Sequence, residues 1–377
     1  MNRRFALANA TIVLDEVVYL ALIPLLPTYV HRFHLTTAEA GLLYAAYPIL
    51  GLVSGIPAGL LCDRVGPRRM LLASNSLFVV ASVAFALATS APALWAARAA
   101  QGLASGASAT AGMAMVVGSA PQGRHGRTIG FAAALQGLSA LGGPALGGLA
   151  VPAIGEGWAF AVPAVLGSLV VAGLALEPPD QITTLGPSLK AQLGSVVRSA
   201  DARAAALCFL AIGVVGGCVQ TLAPLQLGSL GVSAPGLGVL SIGAALAGFP
   251  IVTAGGRYTD SAGVVAATRV LVGIVLATVL VLAASQGRVV IALMFGLFLT
   301  QIRVGGTIGY VRSAFAGTGT GLASGFGLIV TAWAVGASVG PVAAGAIADA
   351  SGYGTAYLAS AVALLALTAT AMRSRRD

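Results

Sequence analysis

Apolar runs long enough to cross a bilayer recur from one end of this chain to the other. Twelve are read, at about 5–30, 38–61, 68–90, 92–118, 127–152, 157–176, 203–228, 234–255, 264–284, 288–311, 318–348 and 354–372. Each has about the 20 residues that a helix needs to span a ~30 Å hydrocarbon core. Lipid offers backbone groups no hydrogen-bond partner, so these runs are expected to be helices; the two-residue alternation of a barrel strand is absent. Connections are mostly very short, which predicts antiparallel packing of successive spans. Thr36-Thr-Ala-Glu39 reads as a capping box opening the second span, and Ser233 offers a cap at the matching place later on.

The polar punctuation between the runs repeats. Gly59-Leu-Leu-Cys-Asp63-Arg64-Val-Gly66-Pro-Arg68-Arg69 returns, faded, as Gly256-Arg-Tyr-Thr-Asp260-Ser-Ala-Gly263, an offset of 197 positions from Asp63 to Asp260. Without a gap, the same offset carries Pro27 to Pro224, Gly41 to Gly238, Gly51 to Gly248 and Gly130 to Gly327. It also carries Gly143-Pro144 to Gly340-Pro341 and Gly148 to Gly345. Parallel duplication of a membrane chain is the build of a two-halved secondary transporter. The one long connection, Glu177–Arg203, opens with Pro178-Pro179 and lies between the copies. Within it Leu189, Leu193, Val196 and Val197 recur at helical spacing opposite Lys190 and Arg198. The linker is therefore either a short amphipathic helix on the inner leaflet or a plain polar connection. The expected organisation is a six-helix bundle over 1–176, a cytoplasmic linker over 177–202 and a second six-helix bundle over 203–377.

Composition agrees. Of 377 residues, 58% are hydrophobic and 8% charged, where a soluble domain needs roughly 25% charged residues. The net charge of +9 suggests nucleic acid only until the charges are placed. Sixteen of the 20 Lys and Arg fall at the N-terminus, in the even-to-odd connections or at the C-terminus; only Arg32 and Arg288 fall on the opposite side. That bias predicts a multi-pass protein of the cell (inner or plasma) membrane with both termini cytoplasmic, and no nucleic-acid partner. The first run is too long for a cleaved signal peptide and carries Asp15 and Glu16, so it is expected to stay as a span. Cys62, Cys208 and Cys218 have no disulfide or metal spacing, and Trp95 and Trp158 stand where interfacial anchors are expected.

Taken together, these residues resemble the major facilitator superfamily over almost the whole chain. The Gly59–Arg69 stretch is similar to the family's signature loop between spans two and three, with Pro67 where a basic residue is common. The resemblance implies a cytoplasmic gate built from Gly59, Asp63, Arg64, Gly66, Arg68 and Arg69, with Asp260 as its repeat. An anionic Asp63 there would favour a helix N-terminus or an arginine and hold the halves together. Span four carries Leu94-x-x-x-Arg98-x-x-Gln101-Gly102, similar to the motif of proton-coupled members. A buried arginine is costly and needs a partner. Arg303 is the other mid-span cation, but its repeat position is Gly106, so the halves are chemically unequal. Span five, Gly130-x8-Ser139-x3-Gly143-Pro144-x2-Gly147-Gly148, resembles the motif of the drug–proton antiporter branch, with Ser139 in place of a glycine. Span eleven repeats it around Gly340-Pro341. Glycines let helices approach closely and the proline is expected to bend the span, favouring exchange over leak.

Span one provides the sharpest site expectation. An acid followed by Pro24-Leu-Leu-Pro27 is similar to the vesicular amine–proton exchangers and places the acid at Asp15. Adjacent helical residues diverge by ~100°, so Asp15 and Glu16 cannot both point into one cavity. A carboxylate there can release a proton when a cationic substrate binds. Gln136, Gln220 and Trp333 are weaker cavity candidates. The fold class expected is all-α integral membrane, with 12 transmembrane helices in two pseudo-symmetric six-helix bundles. The function expected is proton-coupled export of small hydrophobic or amine-like compounds by alternating access, driven by the proton gradient without a cofactor or metal, by a monomer. An uptake carrier or a sugar or metabolite exporter of the same fold is the alternative, and a non-transporting membrane sensor the rival from another class. No nucleophile–base pair, metal-ligand cluster or phosphate loop points to an enzyme.

Overall fold

The computed structural model describes residues 3–119, 125–180, 200–316 and 322–373. Among these, helices take up nearly everything and no strand occurs. The first half runs α1 (Arg3–Phe33), α2 (Thr37–Val65), α3 (Pro67–Ala86), α4 (Ala91–Gly118), α5 (His125–Gln136) and a short α6 (Ser139–Pro144). A π-helical stretch (Ala145–Ala150), α7 (Val151–Ile154) and α8 (Glu156–Ala175) follow. The second half runs α9 (Ala200–Ser229), α10 (Ala234–Ala262), α11 (Val264–Ala284), α12 (Arg288–Ala316) and α13 (Leu322–Arg373). The proposed linker helix around Leu189–Arg198 lies outside the described residues.

Local chemistry sets the helix ends. The capping box is present: the Thr36 N–H donates to Glu39 Oε2 at 2.8 Å, and the Glu39 N–H returns to Thr36 Oγ1 at 3.2 Å. Two breaks between helices rest on glycine. Gly66 (φ 87°, ψ 152°) and its repeat Gly263 (φ 85°, ψ 155°) precede α3 and α11 in a conformation essentially closed to other residues. Gly155 (φ 83°, ψ 158°) and its repeat Gly352 (φ 86°, ψ 164°) do the same before α8 and within α13. The duplication read from sequence is thus repeated in backbone angles.

Nine helical segments among the described residues are long and apolar enough to cross a membrane, against the twelve expected. One of them, Thr331–Ala371, counts once over 41 residues although Gly352 interrupts it. α4 has the length, at 28 residues, but glycine, serine and threonine dilute its apolarity. Span five also differs from a simple proline bend. Its helix ends at Gln136, restarts at Ser139 and turns π-helical after Pro144. The break therefore comes before the proline rather than at it. The surroundings of Gly130 lie outside the described residues.

Contacts divide the chain into two units. One comprises Met1–Leu25, Ala46–Gly186 and Ala234–Val239; the other comprises Leu26–Ala45, Pro187–Ser233 and Leu240–Asp377. In the first, α3 packs on α4 and α8 around Phe5, Leu71, Met115 and Leu174. In the second, α9 packs on α13 and α12, and α11 on α12 and α13. Polarity is inverted relative to a water-soluble protein: Asn9, Thr11, Asn75, Arg98 and Gln101 are buried, while Val80, Leu169, Phe249 and Val289 are exposed. Such an exterior suits lipid rather than water.

Gly66 tests the break before α3. A Cβ there would stand 2.5 Å from the Asp180 carboxylate at a positive φ. Gly66→Ala is expected to cost about 1–3 kcal/mol. Gly118→Ala, where nothing lies within 4 Å, is the control and should melt like the parent. Thermal unfolding of the detergent-purified protein reads both.

Candidate functional site

In the first unit, α1 delivers two adjacent carboxylates to different neighbours. Asp15 is 6% exposed and turns toward α4, where the Ser105 hydroxyl donates to its Oδ2 at 2.6 Å; among the described residues none donates to its Oδ1. Glu16 turns instead toward α6, where Ser139 donates to its Oε2 at 2.7 Å. The divergence of neighbouring helical residues separates their partners as the geometry of the helix requires.

Arg98, completely buried on α4, lies beside this pair. It donates to the carbonyls of Val18 at 3.4 Å and Tyr19 at 3.1 Å and to Gln101 Oε1 at 3.1 Å. Its guanidinium stands 4.6 Å from the centre of the Tyr47 ring and 5.5 Å from that of Tyr19, and the two rings are 4.8 Å apart. Aromatic faces supply negative potential to a cation that has left water. Tyr47 also links the charges, since its hydroxyl donates to the Asp15 carbonyl at 3.3 Å. Asp15, Arg98 and Gln101 are therefore brought together, with Tyr19, Tyr47 and Ser105 as members not foreseen. Ser105 had a signal: Arg98, Gln101, Ser105 and Ser108 share one helical face. The tyrosines had none.

The remaining candidates divide. Gln136 ends α5, and its carbonyl accepts from Ser139 at 2.6 Å. Gly143 and Gly147 of the span-five motif bring α6 and the π-helical stretch against Leu20 and Ala21 of α1, where a Cβ would collide with backbone. Gly148 sits against Gly238 and Pro144 is buried. In the second unit Gly340 lies against Val214 and Pro341 against Gly217. Gln220 donates to the Gly216 carbonyl of its own helix, and Trp333 packs on Ala205 and Phe209. These two are not in the unit that holds Asp15.

The second unit also shows what the repeat did not copy. Asp15, Gln101 and Ser105 correspond by the 197-residue offset to Ile212, Phe298 and Ile302. Those three residues line an apolar cavity with Cys208, Phe209 and Gln301. Where one copy holds a carboxylate, its serine donor and a glutamine, the other has hydrocarbon at all three positions.

The expected gate residues show a different anchor. The Asp63 side chain lies outside the described residues; Gly59 packs on Thr110, and Arg64, Arg69 and Asp260 are exposed. Arg68 donates through Nε to the Leu174 carbonyl at 2.8 Å and through Nη2 to the Ala175 carbonyl at 2.7 Å, capping α8. The carboxylate seated at the N-terminus of α3 is Asp180, which accepts from the Arg68 N–H at 2.7 Å and pairs with Arg4 at 2.9 Å. Glu177 pairs with Arg3 at 3.2 Å and Arg4 at 3.4 Å. A comparable carboxylate occurs in the second unit: Asp349 accepts from the N–H groups of Thr37 at 3.0 Å and Ala38 at 2.8 Å, at the start of α2. Among the described residues no three of His, Cys, Asp and Glu could share a metal ion.

Long apolar helices, a buried charged cluster and an internal duplication define a multi-pass membrane protein of duplicated build. The chain belongs to the Major Facilitator Superfamily, whose family pattern matches residues 6–324. It is 34% identical over 167 residues to the MFS-type transporter ppzB of Metarhizium rileyi, covering 43% of this chain and 35% of that protein. It is 36% identical over 128 residues to the Multidrug resistance protein Stp of Mycobacterium tuberculosis, covering 34% of this chain and 24% of the relative. To a probable vesicular acetylcholine transporter of Danio rerio it is 28% identical over 170 residues, 40% of this chain and 33% of that one. These alignments span a third or less of most of these relatives' length. In fold, it is similar to a bacterial homolog of the human lysosomal transporter Spinster, solved inward-facing and unoccupied. The TM-score is 0.80 at 14% identity, over 99% of this chain and 96% of the other.

Tyr47 separates ring from hydroxyl. Tyr47→Phe keeps the face over Arg98 and loses one long hydrogen bond, an expected cost of about 0.5–1.5 kcal/mol. Tyr47→Leu loses the aromatic face as well, for about 2 kcal/mol more. Melting temperatures in detergent should fall in that order.

Proposed function

We propose that this transporter exports small hydrophobic or amine-like compounds in exchange for protons, with Asp15 as the exchanging group. One observation carries the reading: a carboxylate buried at mid-helix has one oxygen held by Ser105 and the other without a hydrogen bond among the described residues. A buried acceptor left open is costly, and a proton or a cationic substrate satisfies it. The two occupants compete for the same oxygen, so binding one releases the other. Arg98 and Gln101 set the field around that exchange. Relatives named for multidrug resistance and for vesicular acetylcholine transport support this branch of the family. On this reading twelve spans form two six-helix bundles, 1–176 and 203–377, that rock about a shared cavity, with both termini in the cytoplasm and the monomer as the working unit.

The reading is tested in proteoliposomes carrying an imposed pH gradient, supplied with a panel of lipophilic cations and neutral compounds. Export of at least one cation should be coupled to proton movement. Asp15→Asn should reduce gradient-driven export by at least about tenfold, the loss expected when a proton-exchanging group is removed. Export at the parental rate by Asp15→Asn removes Asp15 from coupling, and proton movement with no compound in the panel sinks the substrate class.

A further inference from the structure

Span five breaks, and its repeat does not. α5 stops at Gln136, the chain turns through Gly137 and Leu138, and α6 begins at Ser139. The hydrogen bonds across the break run three residues back, from Leu138 to Leu135, Ala140 to Gly137 and Leu141 to Leu138. By the offset of 197, the corresponding stretch is centred on Ala334 and Val335, which lie inside the uninterrupted first part of α13. Both copies carry the proline, at Pro144 and Pro341, so proline is not what distinguishes them.

Three positions around the break do differ. Glu16, Gln136 and Ser139 correspond to Gly213, Trp333 and Gly336. In the second copy the helices meet backbone to backbone: Gly213 sits against the Trp333 carbonyl and Gly336 against the Leu210 carbonyl, leaving no room for a Cβ at either place. In the first copy that room is taken by a hydroxyl and a carboxylate. Ser139 is buried, with its Oγ 2.7 Å from Glu16 Oε2 and 2.6 Å from the Gln136 carbonyl. A hydroxyl carries one proton and cannot serve both acceptors fully.

We infer that Ser139, drawn toward Glu16, is what holds span five open at Gly137–Leu138, and that Glu16 is a positioning residue rather than a second exchanging acid. Shared between Glu16 and the Gln136 carbonyl, the hydroxyl occupies the acceptor that the Ala140 N–H, which turns to Gly137 instead, would take in a continuous helix. A cationic substrate that engages Glu16 loosens its hold on the hydroxyl and lets the Ala140 N–H compete for that carbonyl, so occupancy beside α1 is transmitted to the shape of span five. That last consequence rests on the exporter reading; the structural assignment does not.

The test is amide hydrogen exchange on the full-length protein in detergent, followed by mass spectrometry over residues 137–142. Ser139→Gly, which installs the residue of the second copy, should slow exchange there by at least about tenfold as the turn closes into helix. Ser139→Thr, which keeps a hydroxyl, should exchange like the parent. Should Ser139→Gly not fold, Glu16→Ala removes the acceptor instead and is expected to slow the same amides. Parental or faster exchange in whichever of these two variants folds overturns the inference. Asp15→Asn should leave exchange at 137–142 unchanged. Loss of the export result with the exchange pattern intact therefore removes only the exporter reading, and the converse removes only this one.

Discussion

Everything polar inside this protein is constrained by the absence of water around it. Arg98 shows the constraint at full strength: a guanidinium with no exposure is held by two carbonyls of α1, the Gln101 amide and the faces of two tyrosines. Each of those contacts fixes a neighbour. The carbonyls tie α4 to α1, Tyr47 ties α2 to both, and Asp15 is held in place from the same two helices. A cation that cannot be hydrated thereby organises the elements around the carboxylate.

The same constraint accounts for the difference between the halves. A duplicated scaffold repeats its glycine breaks with nearly the same angles, because these depend on backbone alone. Buried charge is not repeated, since each such site needs its own full set of partners. The second unit accordingly fills the corresponding place with Ile212, Phe298 and Ile302. Among its described residues the fully buried polar groups, such as the pair Gln301 and Thr278, are neutral, and the mid-span Arg303 is only part-buried.

How much of this was legible depended on whether the signal was local. The Thr36–Glu39 cap is written in neighbouring residues and appears where sequence puts it, and the duplication written in spacing returns in the glycine breaks. Nine of the twelve expected spans are matched among the described residues. Arg98 and Gln101 could be read from a motif, and Ser105 from helical period. Tyr47 could not, because its position over Arg98 depends on how α2 packs. Asp180 could not either: it reaches Arg68 across 112 residues from a connection that reads as plain linker. Asp63, expected to favour a helix N-terminus or an arginine, has its side chain outside the described residues, and the acid seen on a helix N-terminus beside that loop is a residue with no motif at all. Span five was legible only in part: a π-helical stretch does follow Pro144, while the break at Gly137–Leu138 precedes it. Proline is a visible signal for bending, whereas a serine shared between a side chain and a carbonyl is visible only in three dimensions.

Asp349 carries a consequence for the mechanics of the fold. Its carboxylate spans two consecutive N–H groups of α2, and the matching positions in the other copy are Pro152, without an acid, and Ala234-Pro235, of which only the first has an N–H. At the matching place Gly148 and Gly238 fit closely, backbone against backbone. Separating α2 from α13 thus breaks two charge-assisted hydrogen bonds at an exposed edge, bonds that Pro152 cannot supply to α10. Two edges that are twins in outline have unequal resistance to being prised apart, and one aspartate makes the difference.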